Sequence, residues 1–173
     1  MHWLAIVWLS VLTCVVYGIV HDQVTARICV EYFTIGHPPL FDTDDPTLLG
    51  LGWGIMATWW VGVVLGVPLA CAARFGRWPK RAVQTLIRPL LILAGCSACV
   101  AVVAGFAGYI AASNHWVELL PSLAGRVPAE KRVPFLVDLW AHSASYLSGF
   151  IGGLVVIVLV LLRRQHQHPT GGT

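Results

Sequence analysis

The chain has 173 residues, of which 57% are hydrophobic and only 11% charged, with a mean hydropathy of +0.76. A soluble domain carries roughly a quarter charged residues, so this composition excludes an ordinary soluble enzyme and points to a polytopic membrane protein. The formal charge of +3 needs no nucleic-acid partner to explain it, because the basic residues are sorted by topology.

The first apolar run covers residues 3–20. Crossing a bilayer takes about 20 residues, and this run has no basic residue before it and no small-x-small cleavage site near Tyr17. It therefore reads as an uncleaved span and not as a signal peptide. The segment from Tyr17 to Phe41, YGIVHDQVTARICVEYFTIGHPPLF, then brings His21, Asp22, Gln23, Thr25, Arg27, Glu31 and His37 into an otherwise apolar protein. Val20, Val24, Ile28, Tyr32 and Ile35 form an apolar helical stripe, with Gln23, Arg27, Glu31 and Thr34 as its polar counterpart. This predicts a helix that bends onto the outer surface, carries an Arg27–Glu31 pair and ends before Pro38 and Pro39. ICVEYFTI is β-branched and aromatic, so a strand is the competing assignment.

The second span is predicted over residues 48–73, with Asp45 as N-cap and Pro46 at the first helical position. Gly50, Gly54, Thr58, Gly62, Gly66 and Ala70 recur every four residues, a seam that lets another backbone approach closely. Pro68 is expected to bend this helix. The third span, residues 89–112, is itself rich in small residues and is the natural partner of the seam. Its Cys96 and Cys99 form a CxxC, read as two small buried residues. A redox relay needs a second, exposed pair, and the only outer cysteine is Cys29. The fourth span covers residues 139–162. On it Asp138, His142, Ser145 and Gly149 fall on one stripe, and residues 166–173 form a polar tail expected to be disordered.

Arg74, Arg77, Lys80, Arg81, Arg88, Arg163 and Arg164 are seven of the eleven basic residues, and they share one side, while all eight acids fall on the other. The positive-inside rule makes the first side cytoplasmic. The expected protein is thus an all-α, four-transmembrane-helix bundle formed by residues 1–165. It belongs in a bacterial inner membrane, with both termini cytoplasmic and short, partly helical outer loops.

Packing four such helices brings their outer ends together, and the polar groups there are the candidate site. His21, His37, Asp138 and His142 are the candidate metal ligands, with Asp22 and Glu31 as acid–base groups. Neighbouring helical residues point about 100° apart, so only one of His21 and Asp22 is expected to face a given centre. A His and carboxylate set suits a divalent metal such as Zn, or Mn or Fe, better than Cu(I). Haem on two of His21, His115 and His142 is the alternative cofactor. An outward-opening metal site would suit hydrolysis of an envelope or lipid-linked substrate. The competing function is a scaffold or accessory subunit that forms a homo- or hetero-oligomer through Gly50, Gly54, Gly62 and Gly66. An interfacial ion pair would also account for Asp138 and His142.

Overall fold

The computed structural model describes residues 2–167; most of the predicted tail lies outside them. The described residues contain helices and no strand. The elements are α1 (His2–Ile28), α2 (Val30–Thr34), α3 (Pro46–Met56), α4 (Trp59–Arg74), α5 (Gln84–Ser113), α6 (Pro121–Ala124), a 3-10 turn (Ala129–Lys131) and α7 (Arg132–His166). Four stretches are long and apolar enough to cross a membrane: His2–Ile28, Pro46–Arg74, Gln84–Ser113 and Ala129–His166. Each is longer than its apolar run, because polar residues at the run's edge continue the same helix. His21 consequently lies seven residues inside the end of α1, about 10 Å at ~1.5 Å per residue.

Local chemistry sets the boundaries. Asp45 caps α3, its Oδ1 accepting from the Thr47 and Leu48 amides at 2.8 and 2.9 Å, and Pro46 follows it as expected. The break in this span falls at Ala57–Thr58, ten residues before Pro68, and α4 runs on through that proline. Thr58 Oγ1 donates to the Gly54 carbonyl at 2.5 Å, a local bond that competes with the helical ladder. The Tyr146 hydroxyl donates to the Ala57 carbonyl at 3.1 Å. The segment after His21 is helical, not a strand, but it is interrupted at Cys29, whose φ of −149° and ψ of 99° are extended. That interruption undoes the expected Arg27–Glu31 pair, since the two no longer share a helix face. Arg27 instead donates to the Gln23 side chain and to Thr47 Oγ1, both at 2.8 Å, and Glu31 turns to Lys131.

The four long segments form a ring in the order α1, α4, α7, α5, with α1 and α5 touching least of the neighbouring pairs. The glycine seam faces α1, not the third span. A Cβ on Gly54 would come 2.5 Å from Ile19 Cα, one on Gly62 2.5 Å from Val11 Cα, and one on Gly50 2.9 Å from the Asp22 carbonyl. The small residues of α5 serve α7 instead: a Cβ on Gly108 would meet Trp140 at 2.9 Å. The expected pairing of two small-residue faces fails because the seam already receives the α1 backbone around Val11 and Ile19, while Gly108 of α5 accommodates the Trp140 side chain.

Large apolar side chains cover the outside. Leu4, Trp8, Leu12, Val16, Val20 and Val24 make an exposed stripe along α1, and Val102, Val103 and Phe106 do the same on α5. A soluble monomer rarely leaves such continuous apolar surface uncovered, and this exterior is compatible with a membrane protein. Cys96 and Cys99 also lie on the exposed face of α5, not buried as expected.

Inside, two separate apolar clusters form. One gathers Cys29, Tyr32, Phe33, Leu49, Trp53 and Phe135 near the α2 end; the other gathers Ile6, Leu69, Leu86, Leu90 and Val156 at the opposite end. Arg164, predicted only as a topology charge, locks that second end. It is fully buried, and its guanidinium donates to the carbonyls of Pro79, Phe75 and Trp78 at 2.8–2.9 Å and to that of Ala72. The loop between α4 and α5 is thereby tied to α7.

Candidate functional site

Between the two apolar clusters lies the polar group. His21 and Asp22 come from α1 and His142 from α7, and one ligand atom from each lies within 4.8 Å of the others. The expectation that only one of His21 and Asp22 could face a centre is therefore corrected. His142 sits over the groove between them, with its ring edge-to-face on the His21 imidazole at 4.5 Å and its Nε2 3.2 Å from Asp22 Oδ1.

The hydrogen bonds fix the tautomer of His142. His142 Nδ1 lies 2.8 Å from the Asp138 carbonyl, which only accepts, so Nδ1 carries the proton. In a neutral imidazole Nε2 is then an acceptor, and it faces a carboxylate oxygen, another acceptor. Two acceptors at 3.2 Å need a cation between them, either a proton or a metal. Nearby, His21 Nε2 is buried without a hydrogen-bond partner, as are both carboxylate oxygens of Asp138. Asp138 is 0% exposed, Asp22 4% and His142 7%. A buried charge left unpaired costs several kcal/mol, so a buried carboxyl in this cluster is held either as the neutral acid or beside a cation.

The remaining candidates are placed elsewhere. His37 Nδ1 donates to the Tyr32 carbonyl at 2.9 Å, and its ring packs on Trp53 at 4.7 Å and on Phe33 at 5.9 Å. Burial holds its imidazole below the usual histidine range, with the Tyr32 bond opposing. Glu31 Oε1 is 3.2 Å from Lys131 Nζ, and Cys29 Sγ donates to Oε2 at 3.5 Å. Burial pushes the Glu31 carboxyl up, but its own backbone amide, Lys131 and Cys29 outweigh that and leave it below its ordinary value. Burial pushes the Cys29 thiol up to about 12. His115 is exposed beside Glu118 at 3.8 Å, and the direct contact of His21 with His142 leaves no room for a porphyrin between them.

His37 and Glu31 thus belong to a lid. Tyr32 packs on the His142 ring at 4.5 Å and Phe33 at 5.7 Å, closing the α2 end over the polar group. The group does not form an open outer mouth, as its position near the apolar limits suggested. It faces inward, onto a cavity that runs down the bundle to Leu69, Leu90 and Val156. Tyr17, Ser145 and Tyr146 line the upper part, with Tyr17 Oη 2.7 Å from Ser145 Oγ. Sequence spacing marks Tyr17 only in retrospect, one helical turn before His21 and stacked on it at 5.8 Å.

No protein-family model, curated protein or solved structure matches this chain.

Proposed function

We propose that the chain is an integral membrane protein, with both termini cytoplasmic, in which His21, Asp22 and His142 hold a divalent metal ion, Zn foremost. The observation that carries this reading is the acceptor–acceptor contact between His142 Nε2 and Asp22 Oδ1. A metal-binding histidine commonly donates its other ring N–H to a backbone carbonyl, which fixes the tautomer, and Asp138 supplies that carbonyl. Ligands at 2.0–2.2 Å around a tetrahedral ion stand roughly 3.4 Å apart. The His142–Asp22 edge, at 3.2 Å, is close to that spacing, and His21 offers a ligand atom within 4.8 Å of both.

Held by these three side chains, a Zn ion would supply an activated water, since it lowers the pKa of water to about 7. The reaction class is therefore hydrolysis, with a lipid-linked substrate reached from within the membrane. The accessory-subunit reading would need another contact face, because Gly50, Gly54, Gly62 and Gly66 carry α1.

The test is metal analysis of detergent-purified protein after extensive washing, beside a His21→Ala/His142→Ala variant. Stoichiometric metal in the parent and its loss in the variant support the site. Equal and negligible metal in both, with no uptake from added Zn, rules it out. Orientation is tested by impermeant maleimide labelling of intact cells. Thr43→Cys should label and Arg77→Cys should not, and the reverse pattern inverts the topology.

A further inference from the structure

The cavity beneath the polar group has the shape of a slot. It follows α1 from His21 down to Ser10 and α7 from His142 down to Ile157. Those separations, eleven and fifteen residues, correspond to about 16–22 Å at ~1.5 Å per residue. A hydrocarbon layer is about 30 Å thick, so the slot reaches from the depth of the polar group to beyond the layer's middle. Its volume is about 100 Å³.

The chemistry of the walls agrees with the shape. Val61, Leu65, Leu69, Leu90, Leu93 and Val156 line the lower part, and apolar cavities stay dry and accept apolar guests. Gly149 faces it, and a Cβ there would meet nothing within 4 Å, so the space is not filled by a neighbour. Ser97, only 3% exposed, lines the slot with its Oγ unpartnered. α1 and α5 touch least of the neighbouring pairs in the ring, which makes their seam the side where a chain would enter from the membrane.

We infer that the slot holds one hydrocarbon chain of a membrane lipid, which enters between α1 and α5 and presents a head-group oxygen to His21, Asp22 and His142. The head-group half rests on the metal reading above; the chain half rests on the slot alone. A polar head at the metal and an apolar tail in a dry slot together name the substrate class, a lipid bearing an anionic or ester oxygen close to the start of its chain.

The experiment uses the full chain in nanodiscs of phosphatidylethanolamine and phosphatidylglycerol, with a diazirine-bearing palmitic acid as probe. Cross-links are mapped to single residues. Leu93 and Ser97 report the slot, and the exposed Val102, Val103 and Phe106 of the same helix report bulk lipid. In the parent both sets should label. In Gly149→Phe, whose ring grows into the slot, labelling at Leu93 and Ser97 should fall about tenfold against the bulk-lipid reference, with metal content retained. Ala94→Phe plugs the slot from α5 and should do the same, so misfolding of one variant does not decide the outcome. Slot labelling that is absent in the parent, or unchanged in both plugged variants, overturns the inference even where metal is bound. Slot labelling in a parent that carries no metal and takes up none from added Zn upholds the chain site while the metal reading fails.

Discussion

His142 gives its Nδ1 proton to the Asp138 carbonyl and turns Nε2 on Asp22 Oδ1, 3.2 Å away across the bundle. That arrangement couples α1 to α7 through a contact that is unfavourable unless a cation occupies it. Asp22→Asn replaces the acceptor with an amide whose N–H₂ can donate to Nε2 directly. We expect metal content to fall by at least the ~10–100-fold that loss of an outer partner alone produces. The metal-free protein should melt no lower than the metal-free parent. A variant that keeps its metal would show that Asp22 is not a ligand.

The arrangement was partly legible beforehand. The four spans and the Asp45–Pro46 start follow from hydropathy and helical period; the depth of the polar group does not, because α1 continues seven residues past His21. Which groups meet did not, because facing depends on ring order, and ring order depends on which helix each glycine face receives. Gly54 accepts Ile19 and Gly108 accepts Trp140, and neither match is visible in one sequence. His37 and Glu31 share the composition of a site, yet the extended residue Cys29 sends them into the lid. One residue out of helical geometry moved two candidates.

Arg164 donates to four backbone carbonyls around the α4–α5 loop. Arg164→Ala leaves those carbonyls unpaired, which should cost about 3 kcal/mol. Arg164→Lys should recover little of this, because an ammonium cannot reproduce the planar fork of a guanidinium. Thermal melts in detergent should show both variants well below the parent, and trypsin should cut the loop at Lys80 and Arg81 sooner. A lysine variant indistinguishable from the parent would reduce Arg164 to a plain topology charge.

Glycines that look alike in the sequence should respond with opposite sign. A Cβ on Gly54 falls 2.5 Å from Ile19 Cα, whereas one on Gly95 meets nothing within 4 Å. Gly54→Ala should push α1 off the seam and destabilise by about 1–3 kcal/mol. Gly95→Ala should gain up to the ~1 kcal/mol by which alanine exceeds glycine in a helix. Melting temperatures of the two variants should therefore bracket the parent, and a loss of stability in Gly95→Ala would contradict the open face of α5.

The lid should loosen in two stages as pH falls. His37 titrates below its ordinary value of 6.5, chiefly because burial disfavours the imidazolium. A folded value depressed in this way contributes stability above pH 6.5 that is lost as pH drops through the folded value. Glu31 also lies below its ordinary 4.5: burial opposes ionisation, but its own amide, Lys131 and Cys29 prevail. Its contribution is present above pH 4.5 and is lost at still lower pH, as protonation releases Lys131. Hydrogen exchange of the α2 amides should therefore rise first below pH 6.5 and again below pH 4.5, after correction for intrinsic exchange. Glu31→Gln should abolish the lower stage and leave the upper one, while His37→Gln should do the opposite. Exchange rates that track pH identically in both variants and the parent would mean that neither side chain holds the lid.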